Sequence, residues 1–178
     1  MGVDKATLVH PGSGKPLWQH CAERLGAWCQ GVRVSCRADQ IPLFPPSAPL
    51  LLDPVPPGDH GPANGLLAAH RHAPEAAWLV LAVDFPLVTP GAIRRLCEAR
   101  SSGCAGTAYI NGAGILEPLF AVWEPAGLEA LEAAPAWGPR HVLASGPCKR
   151  LEPDDPRVLL NANTPEEWAA SGMLACRT

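Results

Sequence analysis

Positive charge is not in excess in this sequence. Its 14 lysines and arginines are outnumbered by 17 aspartates and glutamates, so the formal net charge is −3 at pH 7. A protein that binds nucleic acid through the phosphates needs a positive field that releases the condensed counterions. The composition therefore argues against a nucleic-acid partner.

Long apolar runs are also missing. The longest extends from Ala76 to Val83 and is far shorter than the roughly 20 residues that cross a bilayer as a helix. Residues 1–5 contain no hydrophobic region of the signal-peptide type. We therefore expect a soluble, cytoplasmic protein without a membrane partner.

The seven cysteines do not form a recognisable framework. None of them lies in a CxxC pair, and an odd number cannot be fully paired in disulfides. Neither a zinc ribbon nor a disulfide scaffold fits this pattern. We expect reduced thiols that fill apolar space.

Glycine and proline are too few to indicate disorder. The 17 glycines and 21 prolines make up about a fifth of the 178 residues, below the level of roughly a quarter at which low-complexity chains begin. At roughly 150 residues per domain, the length corresponds to one domain over residues 1–178.

Helices and strands are predicted to alternate along the chain. Apolar residues recur at helical spacing from Leu17 to Trp28, and Thr89 with Pro90 begins another helix. Residues 63–72 and the leucines at 128 and 131 indicate two more. Strands are predicted over 31–36, 50–52, 78–83 and 158–160, with the 78–83 strand covered on both faces.

One further pair of strands is predicted to be antiparallel. Residues 104–109 and 116–123 are joined by the turn 111–114, which has the glycines and asparagine of a hairpin. The alternation of strands and helices favours an α/β fold with a doubly wound, mostly parallel sheet. The hairpin adds a small antiparallel extension to it.

Polar side chains follow three of the predicted strands directly. Asp53, Asp84 and Asn161 come immediately after the apolar runs 50–52, 78–83 and 158–160. In doubly wound sheets, ligands bind beyond the carboxyl ends of the strands. We therefore predict that these three strand ends face one crevice.

Asp84 is the best single candidate for chemistry. An aspartate after a buried strand can hold Mg²⁺, which takes few protein carboxylates and its other ligands from water and phosphates. The alternative, a cap for the helix that begins near Pro90, places Asp84 too many residues upstream. Asp53 is more ambiguous, because an aspartate before Pro54 also initiates turns.

Two further motifs offer groups that bind ligands. Gly61, Pro62 and Gly65 form a loop whose amides can approach a base or a phosphate, although such loops are also common turns. Asn161 and Asn163 occupy alternate positions, so their side chains point to one side. The capping box that follows, 164–167, predicts a helix to about residue 171 but does not explain the two asparagines.

Basic residues near the start are weaker candidates. Lys5 can neutralise phosphate oxygens, but a lysine near an N-terminus is ordinarily solvated. Gly12 to Lys15 match half of a phosphate-binding P-loop. The match fails because Val9 stands where glycine is needed and Pro16 where serine or threonine is needed.

Taken in order, these motifs resemble the molybdenum cofactor guanylyltransferase family from Met1 almost to Trp168. No single stretch is decisive, but the ordered set is specific. The matching stretches are MGVDK (1–5), GKPLWQH (14–20), Asp53, GPANG (61–65), DFP (84–86), EPL (117–119) and NANTP (161–165).

The resemblance implies a Rossmann-like nucleotidyltransferase fold and an Mg²⁺-dependent transfer of GMP from GTP to molybdopterin. It implies that Lys5, Asp53, the 61–65 loop and Asp84 contact GTP, and that Lys5 and Asp84 are catalytic, with Asp84 also the ligand of the metal. Asn161, Asn163 and Glu117 would lie near the metal or the second substrate. GTP and molybdopterin are the implied partners, and transient contacts with cofactor-delivery proteins are left open.

Two departures from the family pattern limit the resemblance. Family members begin with a strand and a glycine-rich LAGGxSxR loop before the stretch that matches residues 1–5. We therefore expect that this chain lacks its natural beginning. In addition, Ala63 and Asn64 replace the usual Leu-Ala, and Ser35 stands where many members have asparagine. A cytidylyl- or sugar-nucleotide transferase and a non-catalytic nucleotide-binding remnant thus remain alternatives.

Overall fold

The computed structural model describes residues 4–10, 12–53, 60–163 and 167–168. Within these ranges the chain forms α-helices and β-strands that alternate in the first half, as predicted. The α-helices are α1 (Leu17–Gly26), α2 (Ala63–His72), α3 (Pro90–Glu98), α4 (Pro125–Ala133) and α5 (Gly138–Ser145). The strands are β1 (Val34–Cys36), β2 (Leu50–Leu52), β3 (Trp78–Leu81), β4 (Gly106–Ile110), β5 (Leu116–Trp123) and β6 (Cys148–Leu151).

Helix α1 forms where apolar residues recur every four positions. Leu17, Cys21 and Leu25 are all buried and lie on its inner face. The prediction that Trp28 also belongs to this helix is wrong. Trp28 lies beyond the end of the helix and 40% of its surface is exposed.

Helix α3 begins at a well-formed cap. The hydroxyl of Thr89 accepts a 3.1 Å hydrogen bond from the amide of Ala92, and proline occupies the first turn. Ile93 and Leu96 are fully buried on the inner face. Because Thr89 is the cap, Asp84 is not needed for this purpose.

The strands belong to two sheets. Strands β1 and β2 pair in parallel, and the other four lie in the order β3-β5-β4-β6. Strand β5 is antiparallel to both of its neighbours, whereas β4 and β6 are parallel. Three of these four strands therefore run in one direction, and the predicted α/β class with mostly parallel strands is confirmed. The antiparallel strand, however, lies inside the sheet and not at its margin.

Helices cover both faces of the four-stranded sheet. Side chains of β5 alternate between the faces: Phe120 and Val122 pack with α1 and α3, while Ala121 and Trp123 pack with α2, α4 and α5. Each large side chain buried in this way contributes roughly 1.5–3 kcal/mol to stability. The core is therefore two apolar layers, one on each side of the sheet.

The predicted strand over 158–160 is wrong. Residues Pro156–Leu159 form a 3₁₀ helix, whose first turn is capped by the Asp155 carboxylate at 2.9 Å from the amide of Arg157. The last strand is β6, which the sequence does not reveal because two basic residues interrupt its apolar pattern. The helix predicted after residue 163 lies largely outside the described residues.

Strand β3 is shorter than predicted and has one unpaired edge among the described residues. It ends at Leu81, and all four of its residues are half-buried. One of its edges pairs with β5, but among the described residues no strand pairs with its other edge, nor with the edge of β1 that faces away from β2. Its faces are covered as predicted, because Trp78 and Val80 pack against the core on one side of the sheet and Leu79 and Leu81 pack on the other.

The two unpaired edges border a cavity of about 350 Å³. We call it the interstrand cleft: the space between β1 and β3, lined also by α1 and α2. Its walls are mainly apolar and include Leu25, Leu66 and Val80, while Asp4 and Lys5 also line it. A second cavity of about 790 Å³ shares Val32, Leu79 and other lining residues with it. The cleft thus continues along β3.

Within the described ranges, no helix has the length and hydropathy that would let it span a membrane.

Candidate functional site

The carboxylate of Asp84 lies beside the segment that contains the two asparagines. Asp84 is in a turn three residues after the end of β3. Its side-chain Oδ2 accepts a 3.5 Å hydrogen bond from Nδ2 of Asn161, and its carbonyl accepts a 2.9 Å bond from the amide of Ala162. The backbone bond holds residues 161–163 alongside Asp84.

Lys5 joins this group from the other end of the chain. It begins a 3₁₀ helix, Lys5–Thr7, which Asp4 caps by accepting a 2.9 Å hydrogen bond from Ala6. The Lys5 ammonium donates a 2.6 Å hydrogen bond to Oδ1 of Asn163. Asp4 also accepts a hydrogen bond from Gln40, so the start of this helix is held on two sides.

Burial and charge act in opposite directions on Asp84. Burial raises the pKa of its carboxyl group above the usual value, and the positive charge of Lys5 partly offsets this rise. Oδ1 is buried and accepts no hydrogen bond from the described residues. Leaving a buried polar atom without a partner costs about 1–3 kcal/mol. A cation bound at Oδ1 would remove that cost.

Glu117 lies in the same neighbourhood. Its pKa is raised by burial, lowered by Arg140 and raised again by the negative charge of Asp84. Arg140 is 3.9 Å from the Glu117 carboxylate and donates a 3.0 Å hydrogen bond to the carbonyl of Leu116. A cationic group therefore lies next to the acidic group on β5.

Asp53 belongs to a separate contact group. It follows β2 and its amide donates a 2.9 Å hydrogen bond to the carbonyl of Cys36. Its Oδ1 accepts a hydrogen bond from the Ser35 hydroxyl. A Cβ atom at Gly65 would lie 2.5 Å from that hydroxyl oxygen and 3.8 Å from Asp53 Oδ1. Ser35, Asp53 and Gly65 are thus in close mutual contact.

The predicted loop 61–65 is only in part a loop. Gly61 has a φ of +56°, a conformation that glycine adopts readily. Pro62 is the N-cap residue of α2, which begins at Ala63, so Gly65 lies in the first turn of the helix. The close approach predicted for a glycine here is made by the Ser35 side chain.

The structure brings the predicted site residues together in two groups. Lys5, Asp84, Asn161 and Asn163 form one, with Glu117 close enough to affect the same charges. Asp53 and Gly65 form the other, and no direct contact joins Asp53 to Asp84. The interstrand cleft connects them, because it is lined by Lys5, Ser35, Pro62 and Gly65.

The donor atoms near Asp84 fit a hard cation. In the part of the chain that the structure describes, no group of three or more acidic, histidine or cysteine side chains could enclose a metal. Mg²⁺ does not need such a cage, since it keeps several waters and binds one or two carboxylates plus substrate phosphates. The unpartnered Oδ1 of Asp84 matches that requirement.

Three residues at this site carry no distinctive sequence signal. Ser35 acts through its bond to Asp53 and Gln40 through its bond to Asp4, and both bonds depend on how β1 and the following 3₁₀ helix are placed. Arg140 is one of several surface arginines, and its contacts with Glu117 and with the Leu116 carbonyl distinguish it. A search for hydrogen-bond donors opposite each strand-end carboxylate would have found the first of them.

The fold is that of nucleotidyltransferases of known structure. The crystal structure of molybdopterin-guanine dinucleotide biosynthesis protein A from Archaeoglobus fulgidus superposes with a TM-score of 0.75, at 22% identity, and covers 99% of this chain and 93% of that one. The 2-C-methyl-D-erythritol 4-phosphate cytidylyltransferase from Thermus thermophilus superposes with a TM-score of 0.69 at 17% identity, covering 97% and 94%.

The sequence places the chain in a family. Residues 1–170 match the model of the MobA-like NTP transferase domain, so the chain belongs to that family. It is 34% identical over 185 residues to the molybdenum cofactor guanylyltransferase of Rhizobium meliloti, covering 94% of this chain and 82% of the relative. The resemblance expected from the motifs is confirmed.

A longer relative shows that this domain also occurs within a larger protein. The chain is 28% identical over 174 residues to the molybdenum cofactor biosynthesis bifunctional protein of Synechocystis sp.. The match covers 94% of this chain but 49% of the relative. The chain therefore spans about half the length of that protein.

Proposed function

We propose that the protein transfers GMP from GTP to molybdopterin, forming molybdopterin guanine dinucleotide and releasing pyrophosphate. Family membership and the guanylyltransferase names of the relatives support this reaction. The observation that carries it is that the Lys5 ammonium, which is bound to Asn163, is near enough for its charge to act on Asp84, whose Oδ1 accepts no hydrogen bond from the described residues. A cation site and a phosphate-neutralising lysine thus lie side by side.

The reaction requires that the two substrates be aligned and that the negative charge of their phosphates be neutralised. The terminal phosphate of molybdopterin attacks the α-phosphorus of GTP, a new P–O bond forms, and the bond to pyrophosphate breaks. The attacking phosphate is already ionised, so no protein nucleophile or general base is needed. Lys5 binds the phosphate oxygens, where its charge stabilises the developing negative charge.

Asp84 is the proposed Mg²⁺ ligand. Its Oδ1 would bind the ion, with further ligands from water and substrate phosphates. When bound, Mg²⁺ supplies positive charge to the phosphates. Asn161 holds the other carboxylate oxygen, and Asn163 holds Lys5, so each asparagine orients one charged group.

The nucleoside and the second substrate are assigned to opposite sides of this centre. Asp53, Gly61, Pro62 and Gly65 bind the nucleotide around the interstrand cleft. Glu117, next to Arg140, lies toward the second substrate, whose phosphate the guanidinium can attract.

The alternatives from the sequence are less well supported. The relatives of more than 30% identity are named guanylyltransferases, whereas the likeness to a cytidylyltransferase concerns the fold alone. Replacing GTP by CTP or UTP in an assay of dinucleotide formation separates these enzymes. A non-catalytic remnant would bind GTP weakly and form no product with any of the three nucleotides.

We also propose that a β-strand upstream of Asp4 fills the interstrand cleft. Within the described ranges, strands β1 and β3 each present an unpaired edge to it, and each buried, unpaired backbone group costs about 1–3 kcal/mol. Helices α1 and α2 line the cleft, so the strand needs apolar residues on both faces.

Calorimetric titration of GTP with Mg²⁺ tests the metal assignment. Asp84→Ala is expected to weaken binding at least tenfold, since it removes the proposed carboxylate ligand. Asp154→Ala is the matched control, because Asp154 is an exposed aspartate that contacts Arg95. Equal affinity of Asp84→Ala and the wild type would remove the metal role of Asp84.

A further inference from the structure

We infer that Ser35 is a positioning residue, which fixes the Asp53 carboxylate for the nucleoside of the substrate. The inference rests on the proposed function, because it deepens the role of the Asp53 side of the site. It is carried by the contact among Ser35, Asp53 and Gly65, which come from β1, the end of β2 and the first turn of α2.

The strand register brings the serine and the aspartate together. Ser35 lies opposite Leu51 in the parallel β1–β2 pair. Side chains two residues apart on a strand point to the same face, so Asp53 extends on the same side as Leu51 and Ser35. The bond from the Asp53 amide to the Cys36 carbonyl continues the ladder by one step and fixes the backbone of Asp53.

The hydroxyl then fixes the side chain. Among the described residues, Ser35 is the only hydrogen-bond donor to the Asp53 carboxylate, and it uses Oδ1. No described residue donates to Oδ2, so that oxygen can accept from a ligand. A carboxylate repels phosphate oxygens. We therefore assign Oδ2 to an N–H of the base or an O–H of the ribose, and the phosphates to Lys5.

The contact also explains why residue 65 is a glycine. A Cβ atom there would lie 2.5 Å from the Ser35 hydroxyl oxygen and 3.3 Å from Ser35 Cβ. Alanine at 65 would therefore push the hydroxyl away from Asp53. If residue 35 were alanine, that oxygen would be absent, and the nearest atom would be the Cβ of residue 35 at 3.3 Å, a tight contact that a shift of a few tenths of an ångström relieves.

A double-mutant cycle tests the inference. Ser35→Ala is expected to raise the KM for GTP about 3- to 10-fold with kcat unchanged, because uniform binding is lost. Gly65→Ala should raise the KM in the wild type and raise it clearly less in Ser35→Ala, since the two changes remove the same hydrogen bond. Ser35→Thr, which keeps the hydroxyl, should restore the KM, and Ser102→Ala is the matched control.

The outcomes separate this inference from the proposed function. If Asp53→Asn weakens GTP binding but Ser35→Ala does not, Asp53 binds the nucleotide without help from Ser35 and the inference is overturned. Fully additive effects of Gly65→Ala and Ser35→Ala on the KM also overturn it, because the two residues then act independently of each other. If Asp53→Asn leaves GTP binding unchanged, the nucleotide role of Asp53 itself is wrong.

Discussion

The ammonium of Lys5 donates a 2.6 Å hydrogen bond to the side-chain oxygen of Asn163, which lies 158 positions further along the chain. This bond closes the site, because residues 161–163 are also bound to Asp84 through the backbone and through Asn161. A cation and a carboxylate are thereby held next to each other by two asparagines.

Replacing Lys5 should slow the chemical step more than it weakens binding. Lys5→Gln removes a charge directed at phosphate oxygens, and removal of one such group costs on the order of 10²-fold in kcat. Single-turnover assays with saturating GTP measure this step. Lys15→Gln is the matched control, because Lys15 is an exposed lysine paired with Glu23 at 2.6 Å. An equal loss in both variants would contradict a role for Lys5 in catalysis.

Asp84→Asn should stabilise the folded protein while it weakens GTP binding. Burial raises the pKa of Asp84 in the folded state, so the folded protein retains this proton to a higher pH than the unfolded chain. Ionisation of Asp84 therefore reduces stability as the pH rises from the usual value of 3.8 through the raised pKa, and the loss persists at neutral pH.

Thermal unfolding without metal at pH 7 measures this effect. Removing the charge should raise the free energy of unfolding by up to about 1 kcal/mol, on the scale of an unsatisfied buried polar group. Asp154→Asn, which changes an exposed aspartate, should leave the Tm unchanged. A lower Tm for Asp84→Asn would mean that the ionised carboxylate stabilises the fold.

Much of the fold follows from local sequence. Helix α3 and the β4–β5 hairpin were predicted because their signals, a hydroxyl cap before Pro90 and a glycine-rich turn at 111–114, act within a few residues. The short apolar run 158–160 has no such signal, and three residues cannot distinguish a strand from a 3₁₀ helix. The central place of β5 depends on long-range pairing, which no local pattern contains.

In the candidate site too, local sequence predicts some residues, while other contacts depend on tertiary structure. Asp84 and the two asparagines were predicted from their positions after apolar segments, and the structure places them together with Lys5. The contact of Ser35 with Asp53 depends on the register of two short parallel strands and on the packing of α2 against them. Such a contact follows from tertiary structure and not from spacing along the chain.

A chain that includes its upstream in-frame residues should be more stable and should bind GTP more tightly. An added strand would pair with β1 and β3 and bury the apolar walls of the interstrand cleft. Hydrogen exchange should then show new protection of amides at 34–36 and 78–81. An extension of the same length made of glycine and serine is the control. An in-frame stop codon directly before Met1, or no new protection, would contradict the proposed strand.

Arg100→Gln should destabilise the fold without affecting the proposed site. Glu124 is 1% exposed, and its carboxylate accepts bonds of 2.6 and 2.9 Å from the Arg100 guanidinium. Loss of the arginine leaves a buried charge without its partner. We expect a loss of about 2 kcal/mol, below the usual 3–5 because Arg100 is half exposed.

Denaturant unfolding measures this loss, with Arg94→Gln as the control because its contact with Glu98 is a long surface pair of 3.9 Å. Adding Glu124→Gln to Arg100→Gln should recover part of the stability, since the buried charge is then removed. If the double variant is no more stable than Arg100→Gln alone, the buried charge is not the cause.

Acidification should destabilise the protein through His20. Its ring stacks on that of His10, with centroids 3.7 Å apart, and accepts a 2.8 Å hydrogen bond from Arg24. Burial, with smaller contributions from the nearby His10 and Arg24, lowers the pKa of His20 to about 4. The unfolded chain binds the proton near pH 6.5, so the free energy of unfolding falls as the pH drops from 6.5 to about 4.

Replacing the ring by a group that does not titrate should flatten this dependence. Between those pH values, the free energy of unfolding of His20→Gln should fall by about 1 kcal/mol less than that of the wild type. This figure allows for solvent screening of a partly exposed ring. Denaturant titrations at several pH values measure the difference. His72→Gln, at an exposed histidine, should keep the slope of the wild type. A slope for His20→Gln equal to that of the wild type would show that His20 does not remain neutral in the folded protein over this range.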